Sequence, residues 1–168
     1  MRTKTILALA GLLALGFAVQ GGNLVPEGKR DFAVPFKGEG KMGMVYTPVF
    51  FPKGTDGAVI SLEAKVTDVV RGSQSWFDAR VMTDFIDSAC KKVKTGPVIG
   101  GWKGTKDWFA VRKSVKIPEG AAGIALMPCL FNVKSGAFEV SCDLSSKIKV
   151  FLTYPAYTCY PTEFWLAF

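Results

Sequence analysis

The stretch that most constrains the fold is 117–145, IPEGAAGIALMPCLFNVKSGAFEVSCDLS. It reads as a Pro-Glu-Gly turn, a strand, a Ser-Gly turn and a return strand that ends in an acid. Residues 124–131 are apolar nearly throughout, the pattern of a strand buried on both faces or lying in a sandwich core. Ser135-Gly136 suits a two-residue hairpin turn, because glycine tolerates positive φ. Residues 137–144 alternate: Phe138, Val140, Cys142 and Leu144 on one face, Ala137, Glu139, Ser141 and Asp143 on the other. One dry face and one wet face is the mark of an antiparallel sheet.

The expected hairpin carries a geometric consequence. With Ser135 and Gly136 in the turn, Lys134 faces Ala137, and counting outward sets Cys129 opposite Cys142. Alternation makes that a non-hydrogen-bonded pair, where side chains approach closest. Two readings stand: a cross-strand disulfide between Cys129 and Cys142 if the Cβ separation suits it, or two small buried residues side by side. Export would put the thiols where disulfides persist.

Export is what the start of the chain suggests. Arg2 and Lys4 precede the apolar run ILALAGLLALGFAV, which has signal-peptide length and is too short for a comfortable transmembrane helix. Residues 1–22 therefore read as a signal peptide, leaving no membrane span after cleavage and a secreted or periplasmic product. Residues 23–153 read as one β-sandwich domain. Residues 154–168 read as an aromatic-rich tail that does not follow the strand pattern.

Composition narrows the chemistry. The net charge of +7 comes from scattered Lys and Arg with no basic helix or dense run, so it reads as a solvated surface and not a nucleic-acid interface. The chain has no histidine, which removes Ser-His-Asp and Cys-His catalysis and histidine-ligated metals.

Strand patterns fill the rest. Residues 32–36 and 46–52 read as short strands interrupted by Pro35 and Pro48, as edge positions allow. Residues 58–69 alternate cleanly, with Ile60, Leu62, Ala64, Val66 and Asp68 on the core side. Residues 107–117 form another alternating strand, and 147–154 a last one. Residues 88–106 read as a long connection. About eight short strands with turns at regular spacing predict an all-β fold, an antiparallel sandwich of jelly-roll topology.

Residues 76–87 are the most informative strand. Phe77, Ala79, Val81, Thr83 and Phe85 point to the core, and Trp76, Asp78, Arg80, Met82 and Asp84 point away. An aromatic, two carboxylates and a guanidinium on one rigid face suit either a solvated face with cheap ion pairs or a ligand site. Trp102, flanked by Gly100, Gly101 and Gly104, either folds back onto the core or stands out as a stacking platform over that face.

Three places resemble carbohydrate-binding modules of the family 4 and 9 type, jelly rolls attached to secreted glycoside hydrolases. Asn23-Leu24-Val25-Pro26 resembles their opening. Asp107-Trp108 with the Val115–Ala121 turn, VKIPEGA, resembles their Trp strand and Val-Pro-x-Gly-Ala turn. Ser135-Gly136-Ala137-Phe138 through Asp143-Leu144-Ser145 resembles their closing motif. The family's Asn-Gly after the opening is missing, and its usual Asp-Asp is Cys142-Asp143 here. Those family positions often hold a structural calcium, for which the resemblance leaves Asp143 and Asp31; no other cofactor is called for.

The resemblance implies a non-catalytic module whose partner is a polysaccharide or oligosaccharide. Tryptophan stacks on apolar sugar faces, and acids and arginine bond the hydroxyls. Trp76, Asp78, Arg80, Asp84 and Trp102 supply that mixture. The alternative is a structural or protein-interaction sandwich of a cell-envelope assembly. A glycosidase is disfavoured, because Asp78 and Asp84 on one strand would stand about 20 Å apart.

Overall fold

The structure, a computed structural model, describes residues 17–150, and side chains within 22–147. In chain order the strands are β1 (Phe17–Asn23), β2 (Asp31–Val34), β3 (Gly43–Met44), β4 (Thr47–Phe50), β5 (Thr55–Val70), β6 (Ala79–Ile86), β7 (Lys92–Thr95), β8 (Ile99–Trp102), β9 (Gly104–Lys116), β10 (Gly123–Leu130) and β11 (Ser135–Val150). A 3-10 turn at Glu27–Lys29 is the only helical element among the described residues.

Two antiparallel sheets face each other as a jelly-roll sandwich. The five-stranded sheet is ordered β1-β11-β5-β9, with β2 pairing another stretch of β11. The six-stranded sheet is ordered β3-β10-β6-β7, with β4 also on β10 and β8 also on β6. The tail, 154–168, and residues 1–16 of the expected signal peptide lie outside the described residues; the remainder of that peptide runs in β1, along β11.

Strand alternation builds the core. Ile60, Leu62, Ala64 and Val66 of β5 meet Phe138, Val140, Cys142 and Leu144 of β11 from the same sheet. Ala79, Val81 and Phe85 of β6 and Ile124, Leu126 and Leu130 of β10 close on them from the other. Phe109 and Val111 of β9 are half-buried against this cluster, because an edge strand is covered on one side only. Asp68 does not join the core; it sits at φ 50 and accepts a hydrogen bond from Thr105 Oγ1 at 2.7 Å.

The central hairpin expectation is overturned. β10 lies in the six-stranded sheet and β11 in the five-stranded one, so residues 131–134 form an arch across the end of the sandwich. Asn132 takes a left-handed φ of 50° and Val133 is buried beneath the crossing. Gly136 has another task than the one expected of it. Its φ is 123°, and a Cβ there would lie 2.5 Å from the Val69 Cα. It lets β11 close onto β5. The last strand also differs: β11 runs unbroken from Ser135 to Val150. The connection 88–106 carries β7 and β8, both laid along β6.

The cysteine expectation falls with the hairpin. Cys129 pairs with Arg80 and Met44, and its position in the alternation of β10 points it to the outer side of its sheet. Cys142 pairs with Leu62 and points into the core. Both are buried and free, because they occupy different sheets and face away from a common space. Burial pushes each thiol up from 9.0 to about 12, since apolar surroundings disfavour the thiolate. The folded pKa lies above the unfolded one. The stability these neutral thiols contribute is therefore complete below pH 9 and lost as pH rises toward 12.

Two outcomes test this fold. Phe138→Ala should lower unfolding free energy by about 3–5 kcal/mol in urea titration, the cost of emptying a packed aromatic site; an unchanged midpoint would refute its place in the core. Iodoacetamide labelling of the native protein near pH 8, read by peptide mass mapping, should modify exposed Cys90 and spare Cys129 and Cys142. After denaturation without reductant, both should become labelled; a Cys129–Cys142 linked peptide would contradict the structure.

Candidate functional site

The two outer faces of the sandwich differ in kind. On the five-stranded sheet the outward residues are mostly polar, Ser61, Glu63 and Lys65 of β5, Arg112 of β9, and Glu139, Ser141 and Asp143 of β11, with Trp108 and Ala110 of β9 among them. That is what water demands of a sheet's second face. The six-stranded sheet instead has a second apolar cluster outside the core, Ile86, Ala125 and Met127 with Met44 and Met82 packed on it.

Register arranges this face as a trough. Met127 faces Met82, Ala125 lies between Pro48 and Asp84, and Gly123 lies between Phe50 and Ile86. Glycine and alanine keep the middle strand low. Tyr46 and Phe50 rise on the β3–β4 side, 48% and 46% exposed. Asp84 forms the other wall, with Thr95 opposite it and its Oδ1 2.9 Å from Lys92 Nζ. Ile86, Ala125 and Met127 are buried in the floor, so the surface offered to a ligand or partner is made by exposed Tyr46 and Phe50, half-buried Met44 and Met82, and the polar rim.

Trp76 stands beyond one end of the trough, in the turn that precedes β6 and not in the strand as expected. The Arg80 Nε donates to Asp78 Oδ1 at 2.6 Å, and its Nη2 donates to the Trp76 carbonyl. The guanidinium lies 5.5 Å from the Phe131 ring centre. Phe77 meets Phe131 edge-on at 5.5 Å, and Trp76 meets Phe77 edge-on at 6.0 Å. Asp78 is buried, so it and Arg80 hold this turn. The Trp76 side chain remains 53% exposed.

Trp102 is on the core side. Its ring lies 5.2 Å from Phe109 and 5.6 Å from Phe138, so it does not close over the outer face of β6. The neighbouring glycines explain the misreading. A Cβ on Gly100 would come within 2.5 Å of the Arg80 Cα; this glycine lets β8 approach β6 and frees no platform. Of the five expected contacts, Trp76, Asp78 and Arg80 are together, Asp84 lies further along the same face, and Trp102 is inside.

Tyr46, Phe50 and the Met82–Met127 floor were not singled out from sequence. Their signal was the even-numbered alternation Met44, Tyr46, Pro48, Phe50, in a stretch read as a strand from 46 but too short for its faces to be assigned.

Asp143 and Asp31 lie on the other sheet. Asp143 Oδ1 accepts a hydrogen bond from the Asn23 side-chain amide, and Asp31 sits opposite Ser141. Among the described residues no group of three acidic or thiol side chains is placed to hold a metal ion.

Substitution separates the two carboxylates. Arg80→Ala strands a buried Asp78 and should cost about 3–5 kcal/mol of stability by chemical denaturation. Lys92→Ala breaks only the more exposed pair with Asp84 and should cost less than about 1 kcal/mol. Equal small losses would show that Asp78–Arg80 does not hold the turn.

The geometry defines an antiparallel jelly-roll sandwich with an apolar trough on one outer face. The first of three comparisons with solved structures supports that fold. The enzymatically active domain of tailspike protein 4 of bacteriophage CBA120 superposes with a TM-score of 0.52 at 11% identity, covering 78% of this chain and 18% of that one. The CBM22-1–GH10 modules of Clostridium thermocellum xylanase 10B, complexed with xylohexaose, give 0.42 at 15% identity, covering 79% and 24%. The CBM22-1 xylan-binding domain of Paenibacillus barcinonensis Xyn10C gives 0.33 at 9% identity, covering 81% and 98%. This chain thus spans less than a quarter of the tailspike and xylanase chains. No family model matches the sequence, and no curated protein matches it.

Proposed function

We propose that this chain is a non-catalytic carbohydrate-binding module of a secreted or periplasmic protein, accessory to a glycoside hydrolase, and that it holds a polysaccharide chain in the trough of the six-stranded sheet. The observation that carries this reading is the set of exposed rings, Tyr46, Phe50 and Trp76, standing on the outer side of the six-stranded sheet around half-buried Met44 and Met82 and the buried cluster Ile86, Ala125 and Met127. Its rims supply what a sugar chain needs. Tyr46, Phe50 and Trp76 offer ring faces to C–H surfaces. Asp84, Thr95 and Lys92 offer acceptors and donors to hydroxyls.

Asp78 and Arg80 serve as positioning residues for the Trp76 turn. The arrangement argues against hydrolysis, because Asp78 is buried in an ion pair while Asp84 is engaged by Lys92 further along the strand. Water competes for every sugar hydroxyl, so a net gain of about 0.5–1.5 kcal/mol per hydrogen bond leads to micromolar-to-millimolar affinity.

Affinity electrophoresis against soluble xylan, β-glucan and mannan tests the proposal. Wild type should be retarded by at least one of them. Tyr46→Ala, Phe50→Ala and Trp76→Ala should each weaken binding roughly tenfold, about 1.4 kcal/mol, with little change in melting temperature because all three are exposed. Retardation equal to wild type in all three variants would move the site elsewhere. No retardation in any gel would favour a protein-interaction module whose partner covers the same strip.

A further inference from the structure

The outer face of the five-stranded sheet has a hollow of its own. Its floor is made by small residues on three adjacent strands: Ala110 of β9, Ser61 of β5 and Ser141 of β11. Register sets Arg112, Ser61 and Asp143 in one row and Ala110, Glu63 and Ser141 in the next. Long side chains thus stand around short ones, and the space between them is about 430 Å³.

The charged groups around it do not satisfy one another. Arg112 and Glu63 are diagonal neighbours, at a separation long side chains can bridge, yet neither forms an ion pair with any described residue. Arg112 and Asp143 are two strand spacings apart, about 10 Å, with only Ser61 between them. Asp143 is held by Asn23 through Oδ1. A guanidinium donor, two carboxylate acceptors and two hydroxyls therefore converge on one small space. Trp108 stands two residues from Ala110 on the same side of β9, 50% exposed.

We infer that this hollow is a separate sugar site that takes a single neutral pyranose residue. Arg112 donates to a ring or hydroxyl oxygen, Glu63 and Asp143 accept from adjacent hydroxyls, and Trp108 offers a ring to the apolar sugar face. Two carboxylates beside one cation disfavour an acidic sugar. The site lies on the sheet opposite the trough and does not depend on the trough's occupant.

Amide shift mapping of the labelled protein with xylose, glucose and glucuronate tests it. Xylose or glucose should move the amides of Ser61, Glu63, Ala110 and Arg112, and glucuronate should not. Glu63→Gln and Arg112→Ala should each weaken the effect roughly tenfold, the equivalent of losing one charge-assisted hydrogen bond. Tyr46→Ala with Phe50→Ala should leave it unchanged, which separates this site from the trough. Shifts confined to β10 and β6, shifts that survive in the Glu63→Gln/Arg112→Ala double variant, or a response to glucuronate alone would each overturn the inference, as would no shift with either neutral sugar.

Discussion

The pairing of β5 with β11 is the constraint on which the molecule depends. The two strands run side by side from Ser135↔Val70 to Ile148↔Thr55. Their inward residues supply one wall of the core, and burying each large aliphatic or aromatic side chain contributes about 1.5–3 kcal/mol. Their outward residues supply the polar hollow. Gly136 starts the ladder, where β11 comes too close to Val69 for any Cβ. Because β11 must lie on β5, the chain leaving β10 has to cross the sandwich, and β10 is free to stand at the centre of the opposite sheet.

That crossing separates two surfaces with different chemistry. The five-stranded sheet keeps acids, bases and hydroxyls outward, with Trp108 and Ala110 among them. The six-stranded sheet keeps methionines, isoleucine, glycine and alanine outward and has its aromatics on one rim. Ile86, Ala125 and Met127 form a small second core on that side, and Met44 and Met82 lie half-buried against it. The methionines suit a surface that must fit an irregular partner, because an unbranched thioether adapts to the shape laid against it.

Much of this was legible in the sequence, and the failures share a cause. Alternation in 58–66 and 79–85 identified the faces of β5 and β6, because period two is local and survives any topology; it failed at Asp68, where the register shifts and Val69 takes the core side. Alternation does not say which sheet a strand joins. A hairpin and an arch leave the same pattern in 124–144, so Ser135-Gly136 was read as a turn when Gly136 was needed for close strand approach. Gly100 and Gly101 misled in the same way, suggesting a free loop for Trp102 where β8 had to press against β6. Asp78, Arg80 and Asp84 were located on the right side of the sheet, but burial was invisible, and burial sets Asp78 apart from half-buried Arg80 and Asp84. Tyr46 and Phe50 were overlooked because 46–52, though read as a strand, is broken by Pro48 and too short for its faces to be assigned.

The Asp78–Arg80 pair shows why a buried charge can persist in such a module. Taking two ions out of water is costly, and apolar replacements of similar size are often as stable. Here the guanidinium is met on several sides: by the Asp78 carboxylate, by the Trp76 carbonyl and by the face of Phe131. The Asp78 carbonyl in turn accepts from the Phe131 amide at 2.9 Å, tying the turn to the arch that follows β10. An aliphatic pair could fill this volume, but it could not donate to the Trp76 carbonyl. What the ion pair adds is direction. It secures the backbone of a half-exposed tryptophan against a rigid strand, so that less ordering is left to be done when a ring face meets that tryptophan.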